Sequence, residues 1–448
     1  MISQIRVRNF RSLNNVSLSL GPRNFLVGPN MAGKSNLISL FRFLTQMVVS
    51  SPGAYGLPNA INANGGFAEL AWRGSDSNLI SLSLEGKFEE TKCENKEAVW
   101  RYSIEILGDR SKGSIMVQSE SLTISSDSCD VALVQKDAAT GQRTLLNQAG
   151  QVIARVADPT RSALEYELPD WEGNLLRSYF ASFCFYRLIP QLMKQVNPVT
   201  APRFLEENGG NLSSWLMMMQ TRFPEAFARI GSAVKDVLPD VANIMTWPTP
   251  QSTVFIASAE KSLRTPVPVR QMSDGELAFL ALLSLIFIPE ELSAPLFCVE
   301  ELENHLHPRL IDALVKLHDQ RRQELNGNAG QVIVTTHSPQ VVDKVGLDEL
   351  IVVSKRNGES VLWRSRPGRI RQLAAGNSTS RWVAVRADDP MNHGGEPPCA
   401  ATGRSVKADM NRRTPERGSR QPRSSIADRH ADQNGLCPEM DFKQYPCG

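Results

Sequence analysis

The stretch FLVGPNMAGKSNLISL, residues 25–40, limits the fold of this chain more than any other segment. It contains the pattern G-x-x-x-x-G-K-S from Gly28 to Ser35, with an apolar strand before it and helically spaced apolar residues after it. Glycines allow the tight turn in which successive backbone N–H groups and a helix N-terminus face phosphate oxygens. The stretch therefore predicts a phosphate-binding loop rather than an ordinary glycine-rich turn.

Each residue type in this loop has a chemical role. Lys34 would reach the β- and γ-phosphates of a nucleoside triphosphate, and the hydroxyl of Ser35 would ligate Mg²⁺. The predicted ligands are thus ATP and Mg²⁺. The residues expected to bind the nucleotide are Gly28, Pro29, Asn30, Ala32, Gly33, Lys34, Ser35 and Asn36.

A second apolar segment, APLFCVEE at 294–301, ends on two adjacent carboxylates. Parallel α/β sheets bind ligands at the carboxyl ends of their strands. Attack on a γ-phosphate needs bound Mg²⁺ and an oriented water molecule. We therefore expect Glu300 to ligate Mg²⁺, directly or through water, and Glu301 to orient and polarise the attacking water.

The two histidines that follow suggest an alternative, a metal site. His305 and His307 are two residues apart and close in sequence to Glu300 and Glu301. However, Pro308 is typical of a helix start, so the histidines belong to a loop that enters a helix. The sequence also has no further Cys/His cluster to complete a four-coordinate site. The metal site is the weaker of the two interpretations.

The composition is that of an ordinary globular protein, with 41% hydrophobic and 21% charged residues. The formal charge of +2, from 49 basic and 47 acidic residues, neither predicts nor excludes a local DNA-binding patch. Seven scattered cysteines fit a reducing compartment. The start of the chain has no export leader, and the longest apolar run, 277–288, is far shorter than the roughly 20 residues of a membrane span. We therefore expect a cytoplasmic protein without a membrane segment.

Hydrophobic periodicity predicts four parts and an α/β fold. Residues 1–160 form a lobe with the phosphate loop and a β-rich segment, and residues 161–248 form a helical insertion. Residues 249–372 alternate strands and helices, which is typical of a parallel sheet. Residues 373–448 have few large apolar side chains and many Arg, Pro, Gly and Ser, and are predicted to be disordered.

Four separated motifs together resemble the ATP-binding-cassette (ABC) ATPases of the RecF/SMC type. They are GPNMAGKS, MSDGEL, LFCVEELENHLHP and VIVTTHSP, in that order, and the opening IRVRNFRSL is similar to the first strand of that group. The resemblance covers roughly residues 1–45 and 180–355. It implies a P-loop NTPase of the ABC type, with a mixed β-rich lobe, a parallel-sheet core, a helical insertion and ATP hydrolase activity.

The resemblance also implies roles outside the loop. Ser273 and Gly275 of MSDGEL stand at signature positions, and would contact the γ-phosphate of ATP bound to the other protomer of a homodimer that sandwiches ATP. Glu300 and Glu301 correspond to the Mg²⁺-binding acid and the catalytic glutamate, although the first is usually Asp. The loop 303–308 corresponds to one that contacts the partner protomer, so its histidines would be interface or capping groups.

Three further assignments follow from the resemblance. His337 of TTHSP, just past the strand QVIVT, would contact the γ-phosphate as the switch histidine. Gln191 is a candidate for the glutamine that senses Mg²⁺ and water, with Gln195 as the alternative. Arg11 resembles a basic residue near the nucleotide, and a plain surface arginine fits it equally well. The predicted catalytic residues are thus Glu301, His337 and Lys34.

Three functions fit an ATPase of this kind. The unusual signature and the helical insertion argue against a transporter subunit. A DNA-activated repair ATPase of RecF or SMC character is the alternative, with DNA as a partner and basic segments such as RLIDALVKLHDQRRQ. The favoured interpretation is an AAA-type, RecF-like ATPase of bacterial defence systems or mobile elements, related to the ATPase half of OLD-family proteins. In that interpretation, ATP-driven dimerisation controls a partner effector such as a nuclease or toxin.

Overall fold

The computed structural model describes residues 1–49, 56–88, 98–126, 129–136, 142–325 and 329–364. The predicted disordered tail, 373–448, lies outside these ranges, and so does the end of the predicted C-terminal lobe, 365–372. Within the described residues the chain forms three β-sheets with helices packed between and against them.

The first sheet is antiparallel and comes from the N-terminal part of the chain. Alternate residues of its strands are buried because apolar and polar residues alternate along them, as in LISLSLEGKF at 79–88. The predicted β-rich lobe is confirmed. In spatial order, its strands within the described residues are Leu13–Ser19 (β2), Ile2–Phe10 (β1), Leu79–Phe88 (β4), Ala98–Gly108 (β5), Ile115–Ser126 (β6), Cys129–Lys136 (β7), Arg143–Leu146 (β8) and Val152–Val156 (β9).

The second sheet is mostly parallel, which confirms the predicted parallel-sheet core. All neighbouring strands in it are parallel except the last pair, which is antiparallel. In spatial order, the strands described are Cys184–Tyr186 (β10), Leu296–Val299 (β15), Gln331–Thr336 (β16), Arg23–Val27 (β3), Leu350–Arg356 (β17) and Glu359–Arg364 (β18).

One strand of this sheet comes from the range 161–248, which the sequence predicted as a helical insertion. β10 lies at the edge of the sheet and pairs with β15, with Cys184 opposite Phe297 and Tyr186 opposite Val299. A strand of three residues is too short to show a period of two, so the sequence pattern did not reveal it.

The third sheet is small and lies among the helices of the second half of the chain. Its central strand is Thr253–Glu260 (β13). The strands that pair with β13 are Asn197–Pro198 (β11), Val241–Pro248 (β12) and Val267–Pro268 (β14).

The helices described by the structure surround these sheets, and none of them combines the length and apolar character that a bilayer crossing requires. Pro308 begins its helix as the sequence predicted. The helices are Lys34–Val48 (α1), Gly56–Ala63 (α2), Phe67–Leu70 (α3), Gly173–Ala181 (α4), Pro190–Met193 (α5), Leu212–Arg222 (α6), Pro224–Val237 (α7), Asp274–Ile286 (α8), Pro308–Glu324 (α9) and Pro339–Lys344 (α10).

The parallel sheet is the middle layer of this arrangement. Leu26 and Ile333 belong to the hydrophobic core on one face, together with α1 and the antiparallel sheet. Phe25 and Val334 belong to the core on the other face, together with α8 and α9. Because both faces are buried, the carboxyl edge of the sheet is the place where its strands can meet a ligand.

Candidate functional site

Three predicted motifs meet at the carboxyl edge of the parallel sheet. β3 runs into the loop that begins at Gly28, β15 runs into Glu300, and β16 runs into His337. The three strands are parallel neighbours with β16 in the middle. The residues that follow them therefore lie at the same edge, although Gly28 is about 270–310 positions from Glu300 and His337 in the sequence.

The glycine-rich loop is wrapped around the ammonium group of Lys34. Lys34 is the first residue of α1, and its Nζ donates hydrogen bonds to the carbonyl oxygens of Gly28 at 2.9 Å and Pro29 at 3.1 Å. The side chain of Met31, at the tip of the loop, is 85% exposed. Ser35 is exposed in the first turn of α1. The predicted nucleotide-binding residues from Gly28 to Asn36 thus form one continuous turn.

Two glycines in this loop are required by close packing. A Cβ on Gly28 would collide with the carbonyl group of Val353 in β17. A Cβ on Gly33 would collide with the hydroxyl of Ser360 in β18, and Gly33 also has a left-handed φ of 103°. Only glycine fits both demands at position 33.

A cluster of hydroxyl and amide groups forms hydrogen bonds that link the loop to β18 and to Ser12. Ser360 Oγ donates to the carbonyl of Ala32 at 2.7 Å, and lies 2.6 Å from Ser12 Oγ. Asn36 Nδ2 donates to Ser12 Oγ, and the backbone N–H of Ser360 donates to the carbonyl of Ser12 at 2.8 Å. No sequence pattern predicted Ser12 and Ser360, which lie 348 positions apart. The one local signal for a functional role is that Ser12 lies within the opening segment IRVRNFRSL, which is similar to the first strand of the RecF/SMC group.

The acidic pair is held in a strained turn at the end of β15. Glu300 N–H donates to the carbonyl of Tyr186 at 2.8 Å, which continues the pairing with β10. Glu301 has a left-handed φ of 52°, and its N–H donates to Thr335 Oγ1 at 3.0 Å. Asn304 Nδ2 donates to Glu301 Oε2 at 2.7 Å. A left-handed glutamate is costly, and such outliers concentrate at functional sites.

A third carboxylate, Glu303, lies beside His337. Glu303 Oε1 accepts the backbone N–H of His337 at 2.8 Å and lies 3.0 Å from His337 Nδ1. The Glu303 side chain is only 11% exposed, whereas the His337 side chain is 44% exposed. Glu303 belongs to the loop 303–308, for which the sequence predicted only contact with a partner protomer.

The charges at this edge act on one another. Burial lowers the pKa of Lys34, and the negative charges of Glu303 and then Glu301 partly offset that effect. The lysine of the loop and the carboxylates after β15 are therefore electrostatic neighbours. The two segments, far apart in the sequence, thus meet at this edge of the sheet.

The predicted signature residues lie at the start of α8. Ser273 is the N-cap: its Oγ accepts the N–H of Glu276 at 3.2 Å, and Glu276 Oε2 accepts the N–H of Ser273 at 2.8 Å. This reciprocal capping box fixes where the helix begins. A Cβ on Gly275 would lie 2.8 Å from the carbonyl oxygen of His305, so the loop after β15 packs against the first turn of α8.

Asp274 connects the signature to two neighbouring segments. Its Oδ1 lies 2.6 Å from Lys194 Nζ, just after α5, and its Oδ2 lies 3.8 Å from His305 Nδ1. Gln191, the predicted Mg²⁺-sensing residue, and its alternative Gln195 are both exposed, in and just after α5. α5 follows β10, so both lie on the segment that leaves the same sheet edge.

The remaining predicted residues have local partners. His307 is the N-cap of α9, where its Nδ1 accepts the N–H of Arg309 at 3.3 Å. Arg11 is half-buried, and its Nη2 donates to Asn64 Oδ1 at 2.8 Å. Among the described residues, no group of three or more His, Cys, Asp and Glu side chains is arranged to hold a metal ion. The alternative metal site with His305 and His307 is not supported.

Two protein families match separate parts of the chain. Residues 1–139, which contain the glycine-rich loop, match the family described as "AAA ATPase domain". Residues 219–343, which contain the signature, the acidic pair and His337, match the family described as "AAA domain, putative AbiEii toxin, Type IV TA system". No curated protein matches the chain.

Among solved structures, the chain is similar to heads of SMC proteins. One is an Smc head bound to the C-winged helix domain of ScpA, with 15% identity, 81% of this chain and 97% of that chain covered, and a TM-score of 0.48. The SMC head of Thermotoga maritima is 13% identical, with 82% of this chain and 99% of that chain covered and a TM-score of 0.42. An Smc head derived from Pyrococcus furiosus, bound to the C-terminal domain of ScpA, is 14% identical. The match covers 84% of this chain and 99% of that chain, with a TM-score of 0.47. These low values add nothing to what the motifs and family matches establish.

The glycine-rich loop, the acidic strand end and the histidine at one edge of a parallel sheet define the class of P-loop ATPases of the ABC type. With both family matches, the chain carries domains of the AAA ATPase type.

Proposed function

We propose that the protein binds ATP together with Mg²⁺ and hydrolyses it to ADP and phosphate within an ATP-dependent homodimer. We propose further that this cycle controls a partner effector such as a nuclease or toxin. The observation that carries the proposal is the meeting of Lys34, the pair Glu300–Glu301 and His337 at the carboxyl edge of one sheet.

The shape of the glycine-rich loop supports phosphate binding. Gly28 and Gly33 sit where any side chain would collide with neighbouring atoms, so the backbone of the loop carries no side chain at these two positions. The Lys34 ammonium group is held inside the turn by carbonyl oxygens of Gly28 and Pro29. A turn with two such glycines at a helix N-terminus and a lysine inside it fits the β- and γ-phosphates of ATP.

The oxygen donors near the loop fit Mg²⁺, a hard cation that prefers hydroxyl and carboxylate ligands. The hydroxyl of Ser35, exposed in the first turn of α1, and the carboxylate of Glu300 at the end of β15 would hold it. Gln191 on α5 is the third proposed ligand. Bound Mg²⁺ supplies charge neutralisation at the phosphate oxygens.

Glu301 is proposed to orient the attacking water and to accept its proton. The hydrogen bond from its backbone N–H to Thr335 holds the left-handed backbone, and the hydrogen bond from Asn304 orients the carboxylate. A carboxylate held in one orientation loses less entropy when it aligns a water molecule for attack. His337 is proposed to contact the terminal phosphate, and Lys34 to stabilise its negative charge.

Ser273 and Gly275 are proposed to bind the ATP of a second protomer. They lie at the start of α8, whose first turn packs against the loop after β15. A two-fold dimer would bury two ATP molecules between such surfaces. Because the γ-phosphate would contact both protomers, its loss would weaken the closed state, and this difference in affinity would act as the switch.

The proposal of an effector in a defence or mobile-element system is supported by the family matched at residues 219–343. The description of that family names a toxin and a type IV toxin–antitoxin system. That region includes the signature helix α8 and the acidic pair. Activation by DNA, as in repair ATPases, is the alternative outcome of the tests below.

The dimer and the chemistry can be tested together. We expect wild-type protein to hydrolyse ATP, Lys34→Ala to lose ATP binding, and Glu301→Gln to bind ATP and remain dimeric without turnover. Light scattering after gel filtration with saturating ATP and Mg²⁺ would measure the dimer. Glu291→Gln, at an exposed glutamate outside the site, is the control. A Glu301→Gln protein that stays monomeric under these conditions would contradict the proposal.

The effector can be tested with the same variants. Tagged wild-type and Glu301→Gln proteins would be purified from the native host with and without ATP. A nuclease or toxin whose retention depends on ATP supports the proposal. Strong stimulation of ATP hydrolysis by double-stranded DNA, without such a partner, would favour the DNA-activated alternative instead.

A further inference from the structure

Glu303 makes two contacts with His337 through a single oxygen. Glu303 Oε1 accepts the backbone N–H of His337 at 2.8 Å and lies 3.0 Å from the ring nitrogen Nδ1. A carboxylate accepts hydrogen bonds and, when ionised, donates none. The proton in the ring contact must therefore belong to Nδ1.

This contact determines what the other ring nitrogen can do. With Nδ1 protonated, a neutral His337 has a bare lone pair at Nε2, whereas a protonated ring has an N–H there. The oxygens of a terminal phosphate only accept hydrogen bonds. Nε2 can therefore donate to such an oxygen only when the His337 ring is cationic. A carboxylate at Nδ1 matches that form, because the cationic ring carries an N–H on both nitrogens.

The second oxygen of Glu303 also points to a functional carboxylate. Glu303 Oε2 is buried and has no hydrogen-bond partner among the described residues. A buried carboxylate oxygen without a partner is costly to stability. A purely structural tether between the ends of β15 and β16 would need only the bond to the His337 backbone, which an uncharged side chain could also make.

We propose that Glu303 is a positioning residue for ATP hydrolysis: it holds the His337 ring with Nδ1 protonated and charged, so that Nε2 donates to the terminal phosphate. This inference rests on the proposed function and names a residue that acts through His337 rather than on the substrate. Glu303 is separate from Glu301, whose own contacts are with Thr335 and Asn304.

Steady-state kinetics of the full-length protein would test the role. Glu303→Gln keeps the size of the side chain and an oxygen that can accept the backbone N–H, and removes the charge. We expect kcat to fall by about tenfold or more while KM for ATP changes by less than about threefold. Glu290→Gln, at an exposed glutamate, is the control and should match wild type.

A double variant separates action through His337 from an independent effect. If Glu303 acts through His337, the kcat of Glu303→Gln/His337→Ala should equal that of His337→Ala alone. A double variant in which the two losses multiply would overturn the proposal. So would a Glu303→Gln protein with the kcat of wild type.

A spectroscopic measurement provides a readout that does not depend on enzyme activity. Nitrogen-15 NMR of imidazole-labelled wild-type protein can assign the His337 signals by comparison with His337→Ala, since the chain has 6 histidines. A ring protonated at both Nδ1 and Nε2 is expected, and a neutral ring protonated at only one nitrogen would overturn the proposal. If wild-type protein fails to hydrolyse ATP, the proposed function itself fails, whatever the NMR result.

Discussion

Ser360 occupies the space that a side chain on Gly33 would need. The Ser360 hydroxyl donates to the neighbouring carbonyl of Ala32 at 2.7 Å, and a Cβ on Gly33 would collide with it. Gly33 is also left-handed, with a φ of 103°. Two independent restraints, one steric and one conformational, thus fix this residue at the start of α1.

Gly33→Ala should therefore destabilise the protein and abolish ATP binding. Gly66→Ala is a matched control, because Gly66 has a φ of 89° but open space where its Cβ would go. We expect the control to cost about 1–3 kcal/mol from backbone strain alone. The collision at Gly33 should add about 1–3 kcal/mol. Urea unfolding and ATP titration of both variants measure the difference, and equal losses of stability would contradict it.

Ser360→Ala should weaken the hydrogen bonds that link the loop to β18 and to Ser12. It removes the hydroxyl that donates to Ala32 and meets Ser12, and leaves both without that partner. We expect a loss of about 1–3 kcal/mol in the free energy of unfolding and a several-fold increase in the KM for ATP. Ser354→Ala in β17 is the control, since Ser354 Oγ is buried and has no partner among the described residues. The Ser354→Ala substitution should leave the free energy of unfolding unchanged or raise it. A Ser360→Ala protein as stable as this control would show that Ser360 does not stabilise the loop.

Local sequence patterns predicted the elements whose strands, turns and helices are set by neighbouring residues. The strand, glycine turn and helix at 25–40, and the helix α9 from Pro308, are local features with clear periodicity and breakers. The parallel character of the sheet also followed from the alternation of strands and helices, because such units place the carboxyl ends of their strands at one edge. The strand β10 was not predicted, because three residues are too few to show an alternation of apolar and polar side chains.

The sequence did not predict the contacts that adjust the site. The Ser12–Ser360 contact joins residues 348 positions apart, and single serines carry no pattern. The position of Glu303 depends on the left-handed turn at Glu301 and on Thr335, which lies in another strand. Such pairings arise from tertiary geometry, so only the folded chain reveals them.

Arg143→Ala should destabilise the antiparallel lobe. Arg143 Nη1 donates to Glu120 Oε2 at 2.8 Å, and their side chains are 5% and 0% exposed. Without Arg143, the Glu120 charge would be buried without its counter-ion. We expect a loss of about 3–5 kcal/mol in urea unfolding.

An exposed ion pair of the same sheet provides the comparison for Arg143. Arg101 and Glu85 are 3.5 Å apart and about half exposed, so Arg101→Ala should cost less than about 1 kcal/mol. The double variant Glu120→Gln/Arg143→Met should recover part of the stability, because it removes both charges. A double variant less stable than Arg143→Ala would show that the network around Glu120, rather than its charge, dominates.

His318 in α9 should make the protein less stable in mild acid. Burial lowers the pKa of His318 to about 4, and the positive charges of Arg23 and Arg322 add to this against the opposing charge of Asp319. An unfolded histidine has a pKa of about 6.5. Between these two values the unfolded chain binds the proton and the folded chain does not. The contribution of His318 to stability is therefore full above about pH 6.5 and is lost as the pH falls towards 4.

The test for His318 compares how steeply the free energy of unfolding changes with pH in wild type and in a variant without His318. The comparison is needed because carboxylates also titrate in this pH range. Urea unfolding of wild type and His318→Gln at several pH values from 7.5 to 4.5 gives the free energy of unfolding of each. The wild-type value should fall more steeply, by up to about 1.4 kcal/mol per pH unit, since one additional proton is taken up on unfolding. Parallel slopes would mean that His318 is protonated in the folded protein, despite Arg23 Nη1 lying 3.4 Å from its Nδ1.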